Sequence, residues 1–131
     1  AYALMQTSDG IVCMLHSSAT SWRHRFSLSI TLEKGALILS GILSGSKSYG
    51  DEKLIVITSD YINDEGNPEE ITYKFNNDPS WKDEVNEFAH CISNDANVTH
   101  GSSDDAYKTM ETVYKIYYAD KDWKTRYNIQ K

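Results

Sequence analysis

The sequence is poor in residues that interrupt regular structure, with two Pro and seven Gly among 131 positions. That excludes a proline- or glycine-rich linker and a low-complexity tail. One ordered domain over residues 1–131 is expected, large enough to bury about two thirds of its unfolded surface. Cysteine is equally scarce. Cys13 and Cys91 show no CxxC or Cys/His spacing and each sits in an apolar stretch, which reads as two reduced core thiols and suits a cytoplasm. Positive charge is outnumbered, 13 Lys and Arg against 19 Asp and Glu, for a net charge of -6 with the cations scattered. Such a surface has no long-range attraction for phosphate backbones or anionic lipid, so neither nucleic acid nor membrane is expected as a partner. No run approaches the roughly 20 apolar residues that span a bilayer, and no signal peptide is visible, so a cytoplasmic location is expected. The sequon Asn97-Val98-Thr99 reads as chance in that setting.

Signatures of chemistry are missing too. Four histidines, His16, His24, His90 and His100, form no HExxH or other paired-ligand spacing, so no metal site is expected. The glycines at 41, 45 and 50 match neither GxxxxGK[ST] nor GxGxxG, and no strand–helix–strand unit surrounds them; the stretch reads as a bulged or flexible turn. No GxSxG elbow supports a hydrolase triad. The paired acids Asp104-Asp105 and Glu69-Glu70 read as helix capping and the solvated start of a strand. No catalytic residue is assigned in this chain.

What is present is a run of strand patterns followed by helix patterns. Tyr2 to Gln6 and Ile11 to Ser17 flank Thr7-Ser8-Asp9-Gly10, whose Asp-Gly marks a hairpin. Phe26, Leu28, Ile30 and Leu32 alternate with Arg25, Ser27, Ser29 and Thr31, and Glu33-Lys34-Gly35 turns that strand into Ala36 to Ile42. Asp51 to Ser59 and Glu70 to Phe75 read as two more strands joined by the polar stretch Asp60 to Glu69. The period then changes at Pro79. Trp81, Val85, Phe88, Ala89 and Ile92 form one helical stripe, capped by Asp78 or Ser80, and Ala106, Met110, Val113, Tyr114 and Tyr117 form a second, capped by Ser102 or Ser103. The expected fold is α+β, an open and mainly antiparallel sheet of about six strands with two C-terminal helices packed on one face.

The first, second and fifth strands are apolar on both faces, Leu54 and Val56 against Ile55 and Ile57 in the fifth. Helices on one side leave the other uncovered, and a wide apolar surface marks an interface, so a homo-oligomer or a partner domain is expected there. For ligand contact the loop SSATSWRHR, residues 17–25, stands out. An aromatic beside planar cations on a loop held by rigid strands suits an anionic or hydroxyl-rich ligand. Trp22, Arg23 and His24 are the candidate substrate-binding residues, with His16 and Tyr49 behind them. His90 and His100 read as structural or solvent-facing.

The order of these motifs carries a resemblance. The stretch AYALMQTSDGIVCMLHSSATSWRHRFSLSITLEKGALILSG resembles the start of the C-terminal domain of the Gfo/Idh/MocA oxidoreductases, the glucose-fructose oxidoreductase and inositol dehydrogenase type. GSSDDAYKTMETVYKIYYADKDW looks like that domain's closing helix. The resemblance covers essentially the whole chain and implies a substrate-binding and oligomerisation domain. An N-terminal Rossmann domain would bind NAD or NADP, and the parent would act on a sugar or cyclitol-like hydroxyl compound. This sequence lacks GxGxxG, a Glu-Lys-Pro segment and the family's helix bearing catalytic Asp and His, so a piece without that Rossmann domain, inactive alone and with no cofactor of its own, is expected. The competing expectation is an independent homo-oligomerising interaction module with no enzymatic role.

Overall fold

The computed structural model describes residues 1–44, 46, 48–59 and 66–130. In chain order come β1 (Tyr2–Gln6), β2 (Val12–His16), β3 (Ser27–Leu32), β4 (Gly35–Ser40), β5 (Glu52–Thr58), β6 (Glu69–Phe75), α1 (Ser80–Asn94), α2 (Ser103–Ala119) and α3 (Lys121–Arg126). The chain is α+β, every strand pair is antiparallel, and the helices are C-terminal. The six strands form two sheets, a β1-β2 hairpin and a four-stranded β3-β4-β5-β6 meander. Contacts divide the chain into two units, residues 19–82 and residues 1–18 together with the chain from Asp83 onward. Of the stretch expected to join β5 and β6, residues 60–65 lie outside the described residues, as do Gly45 and Lys47 of the glycine-containing turn.

In the first unit, register sorts the side chains of the meander into two faces, because residues paired across antiparallel strands share a face. Leu28, Ile30 and Leu32 of β3 pair with Leu39, Leu37 and Gly35 of β4, and β5 adds Leu54 and Val56 to the same face. β6 completes it with Ile71, Tyr73 and Phe75. The opposite face carries Ala36, Ile38, Ile55 and Ile57 at its centre, with Ser and Thr of β3 on one side and Glu70, Thr72 and Lys74 of β6 on the other. The double-sided character of β5 is therefore a property of register, not of composition alone.

In the other unit, β1 and β2 pair Tyr2 with His16, Leu4 with Met14 and Met5 with Cys13. A hairpin of two strands shields little, and Tyr2, Leu4 and Met14 are each nearly 80 % exposed (79 %, 77 % and 79 %). Cys13 is exposed as well, which corrects its reading as a core thiol. Both cysteines are free, and Cys91 on α1 is the one buried hydrophobic side chain among the described residues, its Sγ donating to the Asn97 carbonyl at 3.4 Å.

The helix starts follow from local hydrogen bonding. Asp78 is the residue that caps α1, accepting from the Ser80 N–H at 3.1 Å and its hydroxyl at 2.6 Å, which holds its carboxyl below the usual range. Ser102 caps α2 in a reciprocal box with Asp105. Asp120 ends α2 and caps the short α3, which the sequence pattern did not reveal. There Trp123 stacks on Tyr117 at 4.7 Å and meets Tyr127, while the Tyr114 hydroxyl donates to the Gln130 carbonyl at 2.6 Å. The apolar stripe of α1 is exposed along its length, and Met110, Tyr114 and Tyr117 of α2 are also exposed. No helix among the described residues is long and apolar enough to cross a membrane.

One carboxylate fastens α1 to the chain after it. Glu87 Oε1 accepts from the Thr99 hydroxyl at 2.5 Å, the Thr99 N–H at 2.9 Å and the His100 N–H at 3.3 Å, and Oε2 lies 3.3 Å from His100 Nδ1. These donors favour the charged form, the Thr99 hydroxyl most, and lower the Glu87 pKa from 4.5 to about 2. A folded value below the unfolded one stabilises fully above pH 4.5, and the contribution is lost as pH falls toward 2. The protection of the Thr99 and His100 amides from exchange, relative to their intrinsic rates at each pH, should therefore fall as pH drops from 4.5 toward 2 in the wild type. In Glu87→Gln that protection should already be low at neutral pH and lose the pH dependence. A wild-type carboxyl titrating near 4.5 by carbon NMR would contradict the clamp.

Candidate functional site

Antiparallel order brings three chain segments to one end of the meander: the start of β3, the end of β4 and the start of β5. Ser21 and Arg23 to Phe26 from the loop before β3, and Gly41 and Tyr49 to Asp51 from the one after β4, meet there. They are joined by backbone, the Gly41 N–H donating to the Phe26 carbonyl at 3.2 Å. Beyond it, the Leu43 N–H donates to Glu52 Oε2 at 2.8 Å, which fixes the departing loop to the first residue of β5. Between the loops lies a cavity of about 560 Å³, a volume suited to a small-molecule ligand.

Three of the five residues singled out in the sequence line this cavity: Arg23, His24 and Tyr49. The His24 ring rests against Tyr49 at 5.1 Å with a 59° tilt, so two residues 25 positions apart in sequence form one wall. The other two lie elsewhere. Trp22 is fully exposed and not part of the lining, although Ser21 before it and Arg23 to Ser27 after it are. His16 belongs to the β1-β2 hairpin, where it stacks flat on Tyr2 at 4.3 Å, an alternative partner that its cross-strand register dictates.

Sequence reasoning missed Arg25, Asp51 and the hydroxyls of Ser21, Ser27 and Ser40, all of which line the cavity. The signal for Arg25 was its place in the same cationic loop, directly between His24 and Phe26, which also line the cavity. Asp51 could not be found by spacing, since its placement depends on the β4-β5 pairing. Its carboxylate stands 4.0 Å from Lys53 and is mostly exposed. Neither Arg23 nor Arg25 meets a carboxylate among the described residues.

Chemically, the cavity offers planar cationic donors, a phenol, an imidazole and hydroxyls, which can hold and orient a ligand rich in oxygen. The partner of His24 among the described residues is the Tyr49 ring. No group of three or more His, Cys, Asp or Glu is placed to hold a metal ion among those residues. His90 and His100 take local partners, Asn94 at 3.2 Å and Glu87, and are not among the residues that line the cavity. No protein-family model, curated protein or solved structure matches the chain.

Proposed function

We propose that this chain is a substrate-binding and oligomerisation domain of an NAD(P)-dependent oxidoreductase acting on a sugar or cyclitol-like hydroxyl compound, and that it is not catalytic alone. The observation that carries the reading is the convergence of Arg23, His24 and Tyr49 on one cavity at the loop end of the meander. The resemblance of the motif order to the Gfo/Idh/MocA oxidoreductases suggests the reaction class.

The described residues do not fit the dinucleotide. Its phosphates are held by a glycine-rich turn between a parallel strand and a helix, and here every strand pair is antiparallel and no strand leads through such a turn into a helix. Cofactor and proton transfer are therefore assigned to a Rossmann domain as partner, and this chain binds and orients the substrate. Its double-sided strands provide for association with that domain and with further copies of itself.

Two measurements on the chain test the reading together. Added NADH or NADPH should leave nicotinamide fluorescence and the thermal midpoint unchanged, whereas a cyclitol or hexose should shift amide resonances of Ser21, His24, Gly50 and Asp51. Tight cofactor binding would overturn it. A chain that associates with itself while no polyol perturbs the cavity would favour an interaction module without enzymatic role.

A further inference from the structure

The cavity carries a charge pattern that a neutral polyol does not need. Arg23 and Arg25 both line it, and neither guanidinium is neutralised by a carboxylate among the described residues. The one acid in the lining, Asp51, is turned toward Lys53 and is 80 % exposed at its side chain. Two cations therefore face one solvated anion in a protein whose net charge is -6. A chain of that sign repels anions at long range, so a local excess of positive charge inside a concavity is selective for an anionic group at contact distance. Guanidinium is the side chain suited to this role, because its fork gives two parallel hydrogen bonds to a carboxylate or phosphate. The rest of the wall is uncharged hydroxyl and aromatic: Ser21, Ser27, Ser40 and Tyr49, with His24 against the phenol ring.

From this we infer that the ligand is an acidic sugar or cyclitol, a polyhydroxy compound bearing a carboxylate or a phosphate, with the acid group held by Arg23 and Arg25 and the hydroxyls by the serine and tyrosine side. The inference rests on the reading of the cavity as a substrate site. The oxyanion anchors the ligand at the arginines, and the hydroxyl-bearing carbons extend along the wall formed by His24 and Tyr49.

The test is an amide-detected NMR titration of the chain with four probes: glucuronate, glucose 6-phosphate, inorganic phosphate and myo-inositol. At least one of the two acidic sugars should shift cavity resonances and bind at least about tenfold more tightly than myo-inositol, the effect of a charge-assisted hydrogen bond. Arg23→Gln and Arg25→Gln should each bring that affinity down to the level of myo-inositol, and Lys74→Gln, on β6 and outside the cavity lining, should not. Added salt should weaken the acidic ligands and spare the neutral one. Glucuronate against glucose 6-phosphate decides between carboxylate and phosphate. If myo-inositol binds as tightly as the acids and the arginine variants change nothing, the acidic assignment falls while the hydroxyl-binding site stands. Inorganic phosphate binding as tightly as glucose 6-phosphate, with glucuronate silent, supports the anion site and removes the sugar from it. Silence from all four probes overturns both.

Discussion

Replacing Gly41 with alanine is expected to lower the stability of the chain by about 2–3 kcal/mol and its thermal midpoint by roughly 10 °C, and to abolish ligand perturbation of the cavity. Gly41 leaves β4 with φ +75°, a conformation that an L side chain adopts only under strain. Space is the larger obstacle. A Cβ there would lie 2.2 Å from the Asp51 carbonyl oxygen, 2.7 Å from its carbon and 3.1 Å from the Glu52 nitrogen, all backbone atoms at the start of β5. None of these can rotate away as the end of a side chain would. Relief requires β4 and β5 to separate at the end where the cavity sits, which also strains the Gly41 to Phe26 hydrogen bond and moves Asp51 out of the lining. Gly10→Ala is the control. Gly10 has φ +94° in the β1-β2 turn, but its Cβ meets nothing within 4 Å, so it should cost about 1 kcal/mol, the strain alone. Equal midpoints for the two variants would show that the close approach at Gly41 does not hold the cavity together.

Local chemistry made much of the fold legible and stopped where pairing begins. The Asp9-Gly10 turn, the alternation along β3, the capping residues Asp78 and Ser102 and both long helices depend on neighbours a few residues away, and each is found where its pattern places it. The separation of six strands into two sheets was not legible, because period-2 alternation says which side a residue faces and nothing about which strand lies beside it. α3 escaped for a related reason. Its six residues are too few to show a period, and Asp120 becomes a visible cap only once α2 is known to end there. The same limit divided the candidate site. Arg23 and His24 were found because a loop rich in cations and aromatics is recognisable in itself. Asp51 joins them only through the register of β4 on β5, while His16 is held in the hairpin by Tyr2. Cys13 shows that an apolar stretch implies burial only if something covers it.

The largest effect on assembly is expected from Ile55→Lys, which should convert an oligomer at tens of micromolar into a monomer, with the dissociation constant raised by about 100-fold or more and the far-ultraviolet circular dichroism unchanged. The neighbouring Val56→Lys should instead remove the cooperative unfolding transition. The contrast arises because the two faces of the meander differ in kind. Val56 lies between Leu37 and Ile71 at the middle of the wider apolar cluster of the meander, with Leu28, Ile30, Leu32, Leu39, Leu54, Tyr73 and Phe75 around it and Glu52, Thr58 and Glu69 at its ends. A lysine there breaks the cross-strand apolar pairs Leu37–Val56 and Val56–Ile71 that join β4, β5 and β6. Ile55 lies between Ile38 and Thr72 on the opposite face, where Ala36, Ile38 and Ile57 complete a small apolar centre. Around it run Ser27, Ser29 and Thr31 on β3 and Glu70, Thr72 and Lys74 on β6. An apolar centre inside a polar rim is the anatomy of a protein–protein interface rather than of an interior, since the rim remains solvated when the copies part. A charge at that centre costs little in the monomer, where water reaches it, and much in the assembly, where it does not. Sedimentation velocity on the wild type and both variants reads the distinction directly. A wild type that sediments as a monomer at that concentration, or an Ile55→Lys chain that stays associated, removes this face from the interface and with it the oligomerisation role assigned to the domain.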